Sequence, residues 1–171
     1  MFRWLRLAAF VVGVGLLSAG ALPASAEDDD LTVLAAALKE AKFTVQDGLK
    51  VAEREGRPIS AQFELDDGKL QLSIYTIKGD DFTEVVADPK TGAIVSSERI
   101  TDTDDLNDAA EQKTAMAKAT VSLLTAAEAA AKDNAGFQVV GIFPELEEGR
   151  AVARVTLLQG TSAKKVTEKL D

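Results

Sequence analysis

Residues 44–95 read TVQDGLKVAEREGRPISAQFELDDGKLQLSIYTIKGDDFTEVVADPKTGAIV, the pattern of one capped helix feeding an antiparallel sheet. Thr44 is a good N-cap, Asp47 puts a negative charge in the first turn, and Gly56 stands where a helix would end in a left-handed C′ residue. Between them Val45, Gly48, Leu49 and Ala52 share one face. Asp67-Gly68 lies between alternating runs and predicts a two-residue type I′ hairpin. That turn pairs Leu65 with Leu70, Phe63 with Leu72 and Ala61 with Ile74, all facing the core. A second tight turn at Gly79-Asp80 pairs Ile74 with Val85 and Leu72 with Ala87. Asp88-Pro89-Lys90-Thr91-Gly92 predicts a further turn: proline presets φ, Asp88 accepts from amides ahead of it, and Gly92 tolerates positive φ. Ala93 to Val95 would form a short fourth strand.

The same register puts Gln62, Glu64, Gln71, Ser73, Tyr75 and Glu84 on the opposite face, together with Ile77, Phe82 and Val86. A solvated face would alternate more cleanly, so something should cover these apolar residues. The candidates are the two sheets of the chain against each other, a preceding helix, or a partner protein. In the last case Tyr75, Ile77, Phe82 and Val86 form the binding site, with Tyr75 and Phe82 as its anchors.

The pattern returns from Ser122 to Leu170. Thr44, Val45, Gly48, Leu49 and Ala52 match Ser122, Leu123, Ala126, Ala127 and Ala130 at an offset of 78, Gly56 matches Gly136 at 80, and Gly68 and Gly79 match Gly149 and Gly160 at 81. A nearly constant offset broken by small insertions is the mark of a diverged duplication. One insertion lengthens the helix end at Lys132 to Ala135. The other is placed at Phe143-Pro144, where proline predicts a bulge or an edge strand. The match of Gly48 with Ala126 implies that a small residue is needed where helix meets sheet, so Gly48→Ala should be tolerated. A Glu148-Gly149 hairpin pairs Leu146 with Ala151 and Ile142 with Val155. The other face then carries Phe143, Val152, Arg154, Thr156 and Leu158. The D-P-x-T-G turn and the fourth strand have no counterpart, so the second repeat is truncated.

A helical stretch precedes each capped helix. Leu31, Leu34, Ala35, Leu38 and Ala41 form one apolar face, with Asp30 as cap, and Leu106, Ala109, Ala110, Lys113, Met116 and Ala117 form a weaker one. No glycine or proline interrupts 106–135, which predicts a helix running on with only a kink near Ser122. Thr101 to Asp105 is the acidic joint.

At the start of the chain, Arg3 and Arg6, the apolar run Leu7 to Leu17, and Ala24-Ser25-Ala26 before Glu27 have the three parts of an export signal. The apolar run is shorter than the ~20 residues that span a bilayer, which disfavours an uncleaved anchor. Removing residues 1–26 takes two arginines and no acid, leaving 17 basic against 28 acidic residues and a formal charge of −11. This balance argues against nucleic acid or an anionic membrane as partner, and no stable membrane insertion is expected after cleavage. No cysteine is present, so burial must supply the stability that disulfides give many exported domains. The expected organisation is a signal peptide over 1–26, a first unit with its preceding helix over 27–100, a joint and linker helix over 101–121, and a truncated second unit over 122–171.

These residues resemble the PepSY domain family: Thr44-Val45, Gly48-Leu49 and Ala52 fill its helix pattern, and Val85 to Val95, VVADPKTGAIV, its strand and D-x-x-T-G turn. The resemblance implies an α+β fold of two PepSY-like units, each a helix packed on a small antiparallel sheet with an extra helix before it. It also implies an exported protein-interaction module, restraining a peptidase or binding an envelope protein. Asp88, Thr91 and Gly92 carry over as the structural turn, and no catalytic residue comes with them.

The sequence has no His and no Cys, which removes Ser-His-Asp and Cys-His schemes and conventional zinc, haem or iron-sulfur sites. No enzyme activity and no cofactor are expected. Glu64 and Glu84 share a sheet face as a glycosidase pair would, but among 28 acids such a coincidence is ordinary. The clusters Glu27 to Asp30 and Asp102, Asp104, Asp105 and Asp108 leave a Ca²⁺-responsive periplasmic sensor as the alternative. Against it, Leu106 occupies the fifth ligand position of an EF-hand pattern and the loop glycine is missing.

Overall fold

The computed structural model describes residues 25–171; the signal-peptide reading of 1–26 therefore lies outside the described residues, apart from Ser25 and Ala26. Two units follow one another. The first is α1 (Ser25–Leu38), α2 (Val45–Ala52), β1 (Arg57–Asp66), β2 (Lys69–Lys78), β3 (Asp81–Ala87) and β4 (Ile94–Arg99); the second is α3 (Thr103–Met116), α4 (Leu123–Asp133), β5 (Gln138–Glu147), β6 (Arg150–Gln159) and β7 (Ser162–Lys169). The fold is α+β, as the sequence implies.

Local chemistry sets each unit. At α2 the Thr44 hydroxyl accepts from the Asp47 amide at 3.1 Å, and the Asp47 carboxylate accepts from the Thr44 amide at 3.1 Å, a closed capping box. Ser122 caps α4 by accepting from the Thr125 amide. Asp67 (φ 47) with Gly68 (φ 75) and Glu148 (φ 50) with Gly149 (φ 79) take the positive dihedrals of type I′ turns. The hairpin registers follow those turns: Phe63 opposes Leu72, Ala61 Ile74, Ile74 Val85, and Ile142 Val155.

The units join edge to edge. All seven strands form one antiparallel sheet in the order β4-β3-β2-β1-β5-β6-β7, and the seam is Ala61 opposite Ile142 with Gln62 opposite Gly141. Ala61 and Ile142 are equivalent positions of the repeat, at the same offset as Gly68 and Gly149, so a pseudo-two-fold axis runs through that pair. α2 and α4 lie side by side on one face, where Gln46 donates to the Ala127 carbonyl at 3.4 Å. Between these helices and the sheet Leu49, Leu72, Ile74, Val139, Ile142, Val155 and Leu157 are buried almost completely, each stabilising the fold by about 1.5–3 kcal/mol. α3 crosses the other face over β1, β5 and β6. The two units' sheets are thus not stacked face to face.

Several expectations need correction. Gly56 is not left-handed; it is small because an added Cβ would stand 2.9 Å from the Ile77 carbonyl oxygen. The left-handed residue is Gly136, at φ +88. No bulge forms at Phe143-Pro144 and β5 is not an edge strand. The irregularities fall instead at Ile59 and Val140, which already stand at the offset of the strands, so the insertion precedes β5. Pro144 is accommodated because the ladder with β1 does not extend to it. α3 does not run into α4: it stops at Met116, and the Thr120 and Val121 amides donate to the Leu170 carbonyl instead. Asp30 lies inside α1 rather than capping it. The buried stripe of α3 is Ala109, Gln112, Ala115 and Met116, not Ala110 or Ala117. β4 is also longer than expected, reaching Arg99.

Candidate functional site: the outer face of the first unit and its seam with α3

The face of β2 and β3 turned away from α2 carries Tyr75, Ile77, Phe82 and Val86, with Ile77 opposite Phe82 and Tyr75 opposite Glu84. Tyr75, Ile77 and Phe82 are half-buried and pack against the hydrophobic cluster, and Val86 is 7% exposed. α3 reaches this patch through two side chains. Lys113 lies 5.9 Å from the centroid of the Phe82 ring while its ammonium pairs with Asp80 at 2.8 Å, and Asp105 is hydrogen-bonded to the Tyr75 hydroxyl. The Arg57 guanidinium donates to the Met116 carbonyl at 2.9 Å, closing the last turn of the helix onto β1.

Where α3 leaves the sheet a cleft of about 310 Å³ opens, lined by Arg57, Ile59, Ile77, Gly79, Lys113, Met116 and Ala117. Its floor is apolar and its rim cationic, the chemistry that takes an apolar side chain with a carboxylate beside it. A second cleft of about 220 Å³ lies on the other side of Arg57 and Met116, toward Leu49 and the α3–α4 connection. Of the lining residues only Ile77 was read from the sequence as a site residue. Lys113 and Met116 were legible as a helix face, but not as neighbours of this sheet.

Beside the apolar patch lies a half-buried polar network. Glu64 accepts from Gln71 at 2.6 Å and from Gln62 at 3.4 Å, and Ser73 donates to Glu84. Burial pushes the Glu84 carboxyl up to about 7; the Ser73 hydrogen bond pulls it down, while the charges of Glu64, Asp105 and Glu98 push it further up. Burial, and then the same acidic surroundings, raise the Tyr75 hydroxyl well above its ordinary range. A carboxyl raised in this way can hold and release a proton, but Glu84 lines neither cleft, and nor does Glu64. Among the described residues no group of three or more acidic side chains is arranged to hold a metal ion. Asp102 is engaged as the N-cap of α3, accepting from the Asp104 amide at 3.0 Å and the Asp105 amide at 3.4 Å.

The D-P-x-T-G turn has a clear local role. Asp88 Oδ1 accepts from the Lys90 and Thr91 amides at 2.9 Å each and from the Thr91 hydroxyl at 3.1 Å, which holds its carboxyl below the ordinary range. Gly92, at φ +71, lies under the Phe43 ring, whose nearest atom would be 1.9 Å from an added Cβ. Pro89 offers its carbonyl to the Lys42 and Phe43 amides at 2.9 Å. The turn is therefore the socket for the α1–α2 connection. Lys90 reaches across it to pair with Glu40.

No curated protein matches the sequence. Among solved structures, one described as a "putative lipoprotein" from Clostridium difficile 630 is similar at 14% identity and a TM-score of 0.44, over 77% of this chain and 88% of that one. Residues 32–98, from within α1 to near the end of β4, match the family model described as peptidase propeptide and YPEB domain. The socket, the capped helix and the hairpins of the first unit all fall inside that span, and it is over this span that the chain matches a PepSY domain.

Proposed function

We propose that this chain is an exported, non-catalytic protein-binding module that engages an envelope protein, an exported peptidase foremost, through the outer face of its first unit. The observation that carries the reading is the cleft at Ile77, apolar below and cationic at the rim, within a domain whose family is named for peptidase propeptides. Tyr75, Ile77, Phe82 and Val86 are the residues of that face; Ile77 lines the cleft, and Phe82 borders it through Lys113. Export is supported by the three-part leader over 1–26, and among the described residues no helix is long and apolar enough to cross a membrane.

The test uses the mature protein from Glu27, bearing a photo-crosslinking residue at position 77 or 82, in periplasmic extract. A crosslinked exported peptidase should then be inhibited by the purified protein. Ile77→Glu should abolish that inhibition while the far-UV spectrum stays native, with a lowered melting temperature because the half-buried side chain packs against the core. Crosslinks absent at both positions, or inhibition unchanged by Ile77→Glu, would overturn the reading. Intact residues 1–26 on the mature protein by mass spectrometry would overturn the export part.

A further inference from the structure

In the first unit the outer edge of β3 is covered by β4, paired from Thr83 opposite Arg99 to Ala87 opposite Ile94. β7 is the counterpart of β3 in the repeat, and among the described residues no strand lies beyond it. The positions matching Thr83 to Ala87 are Lys164 to Glu168. The outward backbone N–H and C=O groups of β7 thus form an open ladder, on a strand whose residues Ser162 to Lys165, Thr167 and Lys169 are exposed.

That edge differs in charge from the rest of the protein. β7, SAKKVTEK, holds three lysines against one glutamate, in a chain of formal net charge −9. Lys164 is held in place over the Phe137 ring, 4.2 Å from its centroid. Lysines on an edge discourage indiscriminate pairing, but toward an acidic strand the same charges become attractive.

We infer that the edge of β7 binds an acidic extended segment of a partner protein as an added antiparallel strand, in the place that β4 occupies on β3. A second copy is a poor occupant, since two β7 edges carry the same net positive charge and β4 offers one acid and one base. The stretch 1–24 of the chain itself holds Arg3 and Arg6 and no acid, so it lacks the complementary charge. This edge belongs to the second unit and is separate from the cleft at Ile77, so either inference can fail without the other.

The probe is a terminally blocked octapeptide, Glu-Val-Glu-Thr-Glu-Val-Glu-Thr, titrated into the 15N-labelled mature protein at low salt. Saturable shift changes and new amide protection are expected along Ser162 to Lys169, weakening as salt is added. The double variant Lys164→Glu/Lys169→Glu changes exposed side chains and should keep the native spectrum. It should bind this peptide roughly tenfold or more weakly and take instead the version with lysine for glutamate. Shift changes along β4, equal binding of the lysine or a glutamine version by the unaltered protein, self-association through β7, or no saturation would each overturn the inference.

Discussion

The two units share one plan and close it differently. In the first, Lys42 and Phe43 donate to the Pro89 carbonyl, and the chain continues through the Asp88 to Gly92 turn into β4. In the second, the equivalent amides of Thr120 and Val121 donate to the carbonyl of Leu170, the residue that matches Pro89 in the repeat. What the helix–helix connection requires is therefore a carbonyl at the end of the third strand. The D-P-x-T-G turn adds a seat for Phe43, and the fourth strand covers an edge.

A second contrast lies between helix and sheet. In the first unit Gly48 faces Leu72, 2.5 Å from where a Cβ would stand; in the second, the same positions are Ala126 and Ala153. Volume lost from the helix reappears on the strand. Gly48→Ala is consequently not the neutral change that the repeat alone implies.

The comparison is broken most severely at the socket. Gly92→Ala should cost about 2–5 kcal/mol, from positive φ plus the collision with Phe43. Gly160→Ala in the second unit, at φ +57 with nothing within 4 Å, should cost only about 1 kcal/mol. Urea unfolding measures both, and equal losses would show that the Phe43 contact contributes nothing.

Next comes pH. The folded Glu84 carboxyl titrates at about 7 against an ordinary 4.5, so the folded state holds its proton more tightly than the unfolded chain. Its contribution to stability is thus present below about 4.5 and lost as pH rises toward 7 and above, by an order of about 1–3 kcal/mol. The second unit has Lys165 at this position. Melting temperatures from pH 5 to 8 should fall, and Glu84→Gln should flatten the slope. The lowered carboxyls of Glu40, Asp80 and Asp88 act in the opposite sense and at lower pH, as they lose their charge. A slope unchanged by Glu84→Gln would remove Glu84 as its source.

Gly48→Ala ranks third. Better helix propensity contributes about 1 kcal/mol, but the buried Leu72 methyl has to move, so a net loss of about 1 kcal/mol is expected. In a Leu72→Val background the same substitution should become stabilising. A double-mutant cycle showing no coupling would separate the two residues. The smallest effect belongs to Lys50 and Glu128, equivalent positions of the two capped helices, paired at 3.5 Å near the pseudo-axis with side chains about half exposed. Lys50→Ala should change stability by less than about 0.5 kcal/mol, and a larger loss would give this contact between α2 and α4 an importance that exposed pairs lack.

The sequence by itself determined what short-range chemistry governs. Asp67-Gly68, Gly79-Asp80 and Glu148-Gly149 fix hairpin registers because two-residue turns leave a strand one way to fold back, and a period of two then settles which side chains share a face. Thr44 and Ser122 fix helix starts because unpaired amides there need an acceptor nearby. The repeat and the apolar patch at Tyr75, Ile77 and Phe82 were legible for the same reason. Tertiary structure alone decided the rest. Nothing local marks β1 and β5 as neighbours, since their seam joins residues far apart in the chain through two opposed pairs. Alanine and glutamine are too weakly distinguished by polarity to reveal that α3 buries Ala115 and Gln112 and exposes Ala110 and Ala117. Gly56 looked like a helix end; only the carbonyl of Ile77, brought against it by the folded hairpin, shows that a close approach requires it.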